Sequence, residues 1–294
     1  MFDGLSYYFA GEQIADFQLV SLLGLHELTE CWYAIRGIPG EAVAVKFLRR
    51  ENPRIPQFLV IAEFLRCQRS NFLIHVLEYG KTVQGLPYAV LEYIPGGSLR
   101  NLLDRIKVLP LPQAVFLMRG MLNALTVLHS RGFVHRDIKP ENIWIDAKGG
   151  FRLGDLGLVK LPGIKEERGN IFGTAAYIAP EQADDSTRVD ARSDLYSLAA
   201  ILYEALTGTR LRPKGNFLET MRYARLEPYD KDYSELYRAV PKKFAQLLLA
   251  MLSFDPEQRP ADAPRCLAML DALALPCAEK FDKSCVHPSV AKEK

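Results

Sequence analysis

The first third of the chain has the pattern of short β-strands. Apolar runs at 17–20 and 42–45 are separated by glycine and proline turns, and two further strands are predicted at 74–79 and 88–93. Between these two pairs, an apolar segment over 57–66 follows a proline, which suits the first turn of a helix. The pattern therefore predicts a sheet interrupted in sequence by one helix.

Further along the chain the apolar spacing becomes helical. Ser98 is placed to cap a helix over 99–106, and a longer helix is predicted over 112–129. A third helix over 192–207 ends before Gly208. A β-rich first third followed by a helical remainder predicts an α+β fold in two lobes.

These patterns divide the chain into four segments. They are an N-terminal extension (1–16), a β-rich N-lobe (17–93), a mainly helical C-lobe (94–275) and a C-terminal tail (276–294). The tail is polar and contains proline, so we expect it to be frayed. With 294 residues, 49% of them hydrophobic, the chain is long enough to build a packed core for one large domain or two lobes.

Charge and cysteine content argue against a nucleic-acid-binding, membrane-spanning or secreted protein. The formal net charge of +2 gives no long-range field of the kind that attracts nucleic acid or a membrane surface. Apolar runs are interrupted by charge before the roughly 18 residues that a membrane span needs. The five cysteines form no C-x-x-C pair, which indicates reduced thiols, and the N-terminus lacks the basic stretch of a signal peptide. We therefore expect a cytoplasmic protein with no nucleic-acid partner and no membrane span.

Residues 135–142 carry the most specific chemical pattern, His-Arg-Asp-Ile-Lys-Pro-Glu-Asn. Phosphoryl transfer from ATP needs a carboxylate near the attacking hydroxyl, a cation near the γ-phosphate and an oxygen ligand for Mg²⁺. Asp137, Lys139 and Asn142 supply these three groups on one short loop. A solvated polar turn would predict no partner downstream. Asp155, however, follows an apolar strand and precedes a Leu-Gly pair, which suits a Mg²⁺ ligand.

This loop resembles the catalytic loop of the eukaryotic-type (Hanks-type) protein kinase family, and the resemblance spans roughly 17–273. The H-R-D-x-K-P-x-N loop matches in full, and Asp-Leu-Gly at 155–157 stands where the family has D-F-G. The segment at 173–181 resembles the family's substrate-docking segment that ends in A-P-E. Lys139 together with Thr174 is typical of the Ser/Thr branch, and the style of the C-lobe is similar to bacterial members.

The resemblance implies a bilobal protein-kinase fold and a protein Ser/Thr kinase that uses ATP and Mg²⁺ to phosphorylate Ser/Thr hydroxyls of protein substrates. The catalytic residues that it implies are Asp137 as base, Lys139, Lys46 and Thr174, and the metal ligands are Asn142 and Asp155. The nucleotide-binding residues that it implies are Leu23, Gly24, Cys31, Ala44, Lys46, Glu63, Leu91, Trp144 and Asp155. It also implies that Asp194 anchors the catalytic loop and that Arg259 pairs with Glu181.

Two charges in the first lobe support this assignment from the residues alone. Lys46 is the only charge in the apolar run 42–48, and Glu63 is the only charge in 58–65. Such charges are costly unless they are paired or directed at a ligand, and a solvent-facing position is the alternative for each. The resemblance implies that Lys46 holds the α- and β-phosphates while Glu63 orients it, although their spacing is slightly short for the family.

The phosphate loop at 24–31 departs from the glycine-rich family pattern and keeps only its first glycine. Glycine allows the closest approach of backbone to phosphate, so we expect His26 and Thr29 to weaken or reshape this cover. Glu27 and Glu30 place negative charge near a polyanion unless they point outward.

Two positions of the adenine pocket also depart from the family. Cys31 replaces a valine, and Trp144 aligns with the floor of the pocket. An indole can stack on a purine, but it can also fill the space that the purine needs. An ordinary core tryptophan is the alternative interpretation of Trp144.

Residues 159–171 of the activation segment contain no serine, threonine or tyrosine, so loop phosphorylation is closed unless Thr174 or Tyr177 is modified. A phosphate there would normally pair with the arginine of the H-R-D motif, Arg136. We expect Glu166 or Glu167 to offer Arg136 a permanent anionic partner, or a regulatory partner to replace loop phosphorylation. A solvated charge run is the alternative for these glutamates.

Two other functions are compatible with part of this pattern. A pseudokinase scaffold with weak or no nucleotide turnover would share the fold, because fold does not establish activity. Small-molecule phosphotransferases of the aminoglycoside-kinase kind resemble the catalytic loop but lack the docking segment at 173–181, so we set that function aside.

Overall fold

The structure is a computed structural model that describes residues 6–26, 28–49, 54–164, 173–212, 216–226 and 232–281. The chain divides into two units, Met1–Ile94 and Pro95–Lys294. The first unit is built mainly of strands and the second mainly of helices. The predicted α+β, bilobal fold is confirmed.

The first unit contains one antiparallel sheet of six strands and one helix. Its elements are β1 (Gln13–Ile14), β2 (Phe17–Leu25), β3 (Thr29–Arg36), β4 (Glu41–Leu48), α1 (Ile55–Cys67), β5 (Val76–Lys81) and β6 (Pro87–Glu92). The order of the strands in the sheet is β1-β2-β3-β4-β6-β5. The strand and helix patterns predicted for this part of the sequence are therefore present, with boundaries shifted by a few residues.

One face of this sheet is covered by an apolar cluster that includes Phe17, Trp32, Val45 and Phe47. Tyr8 joins the same cluster, and its ring centroid lies 4.2 Å from that of Phe47. Strand β1 also pairs with β2. The described part of the predicted N-terminal extension is thus built into the sheet, which the sequence pattern did not indicate because β1 is only two residues long.

The second unit is mainly helical and carries one short hairpin. Its elements are α2 (Leu99–Ile106), α3 (Leu111–His129), β7 (Ile143–Ile145), β8 (Phe151–Leu153), α4 (Pro180–Asp184), α5 (Ala191–Thr207), α6 (Phe217–Arg225), α7 (Ser234–Ala239), α8 (Lys242–Met251) and α9 (Ala263–Asp271). Helices α3 and α5 form its centre, because nearly all residues of α5 and ten of α3 are buried.

Two predicted helix ends are confirmed. Ser98 caps α2, since its hydroxyl accepts from the backbone N–H of Asn101 at 3.3 Å while its own N–H donates to the Asn101 side chain at 3.0 Å. Gly208 ends α5 in the left-handed region, with φ of 75°.

Helix α3 is the one helix among the described residues that is long and apolar enough to cross a membrane by length and composition. This differs from the prediction that charge interrupts every apolar run, because Arg119 alone does not lower the average enough. In the structure 56% of its apolar window is buried inside the unit, as in a core helix.

The described part of the C-terminal tail is packed, and the prediction of a frayed tail does not hold up to Phe281. The ring of Phe281 is 2% exposed and lies 5.8 Å from the ring of Phe151 on β8. Its backbone N–H donates to the carbonyl of Gly149 at 2.8 Å. An aromatic residue in a polar tail can pack in this way because a single buried ring contributes a large apolar area.

Candidate functional site

The loop that follows α3 is held by a buried carboxylate on α5. Asp194 accepts the backbone N–H groups of His135 at 2.8 Å and of Arg136 at 2.9 Å, and the ring of His129 at 2.9 Å. Burial alone would raise the pKa of Asp194, but His129, His135 and the backbone N–H of Arg136 together outweigh it, and the pKa is lowered. The expected anchoring of the catalytic loop by Asp194 is confirmed. His129 was not singled out from the sequence.

Asp137 is the centre of the site in the second unit. Its Oδ1 accepts from the hydroxyl of Thr174 at 2.8 Å, and its Oδ2 lies 2.8 Å from the ammonium of Lys139. The side-chain amide of Asn142 donates to the carbonyl of Asp137 at 2.9 Å and to its Oδ2 at 3.2 Å. Asp137 is buried apart from a small exposed fraction. Three residues chosen from the sequence are thus brought together around the carboxylate of a fourth, Asp137.

The β7–β8 hairpin places Asp155 next to Asn142. Ile143 pairs with Leu153 across the hairpin, and the N–H of Gly154 donates to the Asn142 carbonyl at 2.8 Å. Asp155 itself has a φ of 52°, a left-handed conformation that aspartate tolerates better than most residues. Its Oδ1 accepts from the N–H of Gly157 at 3.2 Å.

The side chains of Asn142 and Asp155 fit the chemistry of a Mg²⁺ site. The Asn142 amide nitrogen is used by Asp137, which leaves its oxygen as the ligand atom, and Asp155 supplies a carboxylate. Among the described residues no cluster of three His, Cys, Asp or Glu side chains could hold a metal alone. Mg²⁺ in phosphoryl-transfer sites takes one or two carboxylates and completes its shell with phosphate and water oxygens, so a two-residue set is sufficient.

The docking segment is tied to the rest of the second unit by a buried ion pair. Arg259 Nη1 and Nη2 lie 2.7 and 2.8 Å from the two carboxylate oxygens of Glu181, and the Arg259 side chain is 0% exposed. The hydroxyl of Ser193 donates to the same carboxylate at 2.6 Å. The expected pairing of Arg259 with Glu181 is confirmed. Bidentate geometry and burial make this pair stronger than a surface salt bridge.

A second set of contacts joins the docking segment to the catalytic loop. The side-chain amide of Gln182 donates to the carbonyl of Arg136 at 2.6 Å. Gly173 has a φ of 109°, and a Cβ there would lie 2.6 Å from that carbonyl, so only glycine fits. Gln182 was missed in the sequence, and its position directly after the A-P-E motif was the available signal.

The hydroxyl of Tyr177 is also engaged. It donates to the carboxylate of Glu204 on α5 at 2.6 Å. Burial first, and then the hydrogen bond to Glu204, raise the pKa of Tyr177, so the hydroxyl stays protonated. Neither Thr174 nor Tyr177 therefore presents a free hydroxyl for modification in this conformation.

In the first unit, strand register gathers the predicted nucleotide-binding residues on one face of the sheet. Gly24 pairs with Cys31, Cys31 with Lys46, and Ala44 with Leu91. Directly paired residues share a face, and positions two apart on a strand also share it. Leu23 lies just before this set, in the register shift of β2, and is exposed.

Glu63 on α1 is paired with a neighbour on its own helix. Its carboxylate accepts from Arg66 Nε at 2.9 Å and from Nη2 at 3.1 Å, and from the thiol of Cys67 at 3.4 Å. The hydrogen bond from Arg66 is the main cause that lowers the pKa of Glu63 to about 2. The expected role of Glu63 in orienting Lys46 stays a prediction.

Trp144 lies on β7 and is only partly buried, and its place in the adenine pocket stays a prediction. It forms an isolated antiparallel β-bridge with Ser98, and its partner across the hairpin is Arg152.

Glu166 and Glu167, one of which we expected to pair with Arg136, lie outside the described residues. That pairing therefore stays a prediction.

Glu30 corrects one expectation. The sequence left it either facing the phosphates or pointing outward, but it is 0% exposed, on the sheet face opposite Cys31. Its carboxylate accepts from the hydroxyl of Ser6, from the N–H of Tyr7 at 3.2 Å and from the indole N–H of Trp32 at 3.3 Å. Alternation along β3, where Glu30 and Trp32 share a face, was the available signal. Glu27 lies outside the described residues.

Taken together, the fold and the catalytic loop define a protein-kinase type of domain. A family model described as "Protein kinase domain" matches residues 17–270, and the chain belongs to this family. It is 38% identical over 222 residues to the serine/threonine-protein kinase PknL of Mycobacterium tuberculosis, covering 75% of this chain and 55% of that protein. It is 32% identical over 267 residues to the probable serine/threonine-protein kinase PknB of Bifidobacterium longum, covering 84% of this chain and 38% of that protein.

These comparisons confirm the predicted resemblance to bacterial Hanks-type Ser/Thr kinases. The chain spans about half the length, or less, of these curated relatives.

Proposed function

We propose that this chain is an ATP-dependent protein kinase that transfers the γ-phosphate of ATP to Ser/Thr hydroxyls of protein substrates. The main evidence for this proposal is the set of contacts that the Asp137 carboxylate makes. Its carboxylate is bound at once by the hydroxyl of Thr174, the ammonium of Lys139 and the amide of Asn142. A carboxylate fixed in this way does not need to reorganise when it takes up a proton.

In the proposed reaction Asp137 accepts the proton of the substrate hydroxyl while the oxygen attacks the γ-phosphorus. The bond from the γ-phosphorus to the β–γ bridging oxygen breaks, and ADP leaves. Lys139, within 2.8 Å of Asp137, offers positive charge to the transferred phosphoryl group. Thr174 and Asn142 hold the carboxylate in place.

The residues that would hold Mg²⁺ are Asn142 and Asp155. When bound, the ion neutralises charge on the β- and γ-phosphates. The Gly154 N–H bond to the Asn142 carbonyl at 2.8 Å keeps the two ligands adjacent. Lys46, on the same sheet face as Cys31 and Ala44, is the residue that we assign to the α- and β-phosphates.

Protein substrates, a cytoplasmic location and phosphorylation-independent activity belong to the same proposal. The described cysteines are all free, which suits a reducing compartment. Since residues 159–171 offer no hydroxyl for phosphorylation, activity needs either a built-in anionic partner for Arg136 or a regulatory protein. An essential phosphate found by mass spectrometry on Thr174 or Tyr177 of the active protein would contradict this part.

The test compares the wild type with Asp155→Asn in the transfer of labelled γ-phosphate to a generic basic protein, over a range of Mg²⁺ concentrations. We expect Mg²⁺-dependent labelling in the wild type and its loss in the variant. Asp184→Asn, a change of the same kind at an exposed position on α4, is the matched control and should retain activity. Equal labelling by the wild type and Asp155→Asn, or nucleotide binding without turnover in both, would favour the pseudokinase scaffold.

A further inference from the structure

The N-terminal residues 6–9, which we call the strap, lie against the face of the sheet that carries Glu30 and Trp32. Tyr8 packs its ring on Phe47, with centroids 4.2 Å apart. The hydroxyl of Ser6 and the backbone N–H of Tyr7 both donate to the buried carboxylate of Glu30. The strap is therefore joined to the sheet by an aromatic contact and by charge-assisted hydrogen bonds.

Glu30 depends on these contacts. Its side chain is fully buried, and a buried carboxylate is costly unless hydrogen-bond donors satisfy it. Two of its three described donors belong to the strap, and the third is the indole of Trp32. Loss of the strap would leave this carboxylate largely unsatisfied inside the sheet.

Glu30 also lies at the edge of the phosphate loop. It pairs in register with Leu25, directly across the hairpin, and the turn between them is closed by a bond from the N–H of His26 to the Thr29 carbonyl at 2.8 Å. A loop with only one glycine has few backbone conformations that bring its N–H groups close to a phosphate. Its ability to bind the phosphate therefore depends on the positions of the two strands that flank it.

The strap also contacts Arg49, which follows β4 and is hydrogen-bonded to the phosphate loop. The guanidinium of Arg49 lies 4.3 Å from the centroid of the Tyr7 ring. The backbone N–H of Arg49 donates to the carbonyl of Leu28, inside the loop, at 3.0 Å. The strap thus contacts residues that fix the loop from both β3 and the end of β4.

We propose that Glu30 is a positioning residue for ATP binding, and that the strap sets the position of the phosphate loop through it. This inference rests on the proposed function, since it assigns the loop to the phosphates of ATP. Glu30 faces away from Cys31, so it acts through the backbone of β3 and not by contact with the nucleotide.

The test uses Ser6→Ala in the full chain, with Ser6→Thr as the conservative variant that keeps the hydroxyl. We expect Ser6→Ala to raise both the KM for ATP and the Kd for ATP by about threefold to tenfold, the equivalent of one hydrogen bond. We expect kcat to stay unchanged, and Ser6→Thr to restore the wild-type KM. In a Glu30→Met background, Ser6→Ala should add little, because the acceptor of the Ser6 hydroxyl is already absent.

The matched control is Tyr88→Phe, which removes a hydroxyl bonded to Glu78 at 3.4 Å on the same sheet but away from the loop. It should leave the KM for ATP unchanged. A fall in thermal stability of Ser6→Ala without a change in KM or Kd, or an equal rise in KM for Tyr88→Phe, would show a structural role only and overturn the proposal.

Hydrogen exchange separates this proposal from the proposed function. We expect faster exchange of the amides at 24–31 in Ser6→Ala than in the wild type, whether or not the protein turns over ATP. Faster exchange in Ser6→Ala than in a wild type that itself lacks kinase activity would support the strap while refuting the kinase. Unchanged exchange in an active enzyme would refute the strap alone.

Discussion

Removing the guanidinium of Arg259 should destabilise the second unit strongly. Its side chain is 0% exposed and makes two bonds to Glu181, at 2.7 and 2.8 Å. It also donates to the carbonyls of Ser253 at 2.8 Å, Arg192 at 3.1 Å and Phe254 at 3.1 Å. Arg259→Ala therefore leaves three carbonyls, and a carboxylate whose side chain is only 13% exposed, without this partner.

The expected cost is large for a single substitution. Breaking a buried ion pair by removing one partner costs about 3–5 kcal/mol of unfolding free energy, because the remaining charge stays buried. For a unit of this size each kcal/mol lowers Tm by about 2–4 °C, so Tm should fall by roughly 6–20 °C. Arg259→Lys keeps the charge but loses the bidentate geometry, and it should lie between the wild type and Arg259→Ala.

The assay is urea and thermal unfolding followed by circular dichroism, with Arg192→Ala as the control. Arg192 pairs with Glu257, whose side chain is 74% exposed, and exposed pairs contribute only about 0–1 kcal/mol. If Arg259→Ala cost no more than Arg192→Ala, the buried ion pair would not stabilise the docking segment, and the reasoning would be wrong.

Three further predictions concern the site and its surroundings. Thr174→Ala should lower kcat by about 10-fold or more while Thr174→Ser keeps it, because the hydroxyl bound to Asp137 is lost in only one of them. The folded-state pKa of Asp194 is lowered below its unfolded value of about 3.9. Ionised Asp194 therefore stabilises the fold above that pH, and this contribution is lost as the pH falls through the folded-state pKa. The stability of Asp194→Asn should accordingly fall less steeply than that of the wild type below about pH 4. Phe281→Ala should cost about 3 kcal/mol, since a buried ring is replaced by a cavity.

Each of these has a result that would contradict it. Equal kcat for the two Thr174 variants would show that the hydroxyl does not hold Asp137 during turnover. An acid-unfolding profile of Asp194→Asn parallel to that of the wild type would place the titration elsewhere. Unchanged stability in Phe281→Ala would mean that residues up to 281 do fray, as the sequence alone suggested.

Contiguous motifs allowed most of the second-unit site to be predicted. Asp137, Lys139 and Asn142 lie within one loop, and their joint contacts follow from a short backbone path. Asp155 and Thr174 could also be assigned to the same site, because each lies in a recognisable sequence motif. Local signals such as Ser98 before α2 and Gly208 after α5 were sufficient for helix ends.

Contacts between residues far apart in sequence could not be predicted where the partners lie outside the family motifs. The burial of Glu30 depends on the strap, and no local pattern shows that residues 6–9 return to the sheet. The packing of Phe281 on Phe151 is of the same kind. The pairing of Glu63 with Arg66 had a signal in the i, i+3 spacing on one helix, but the family resemblance directed attention to Lys46 instead.

The most direct measurement of the central claim is the rate at which Asp137→Asn transfers the γ-phosphate of ATP to a protein, set beside its affinity for ATP. The account predicts that transfer to Ser/Thr falls by about 10²–10⁴-fold, as for a lost general base, while the Kd for ATP stays close to that of the wild type. A variant that phosphorylates Ser/Thr as fast as the wild type would contradict the claim that Asp137 is the catalytic base.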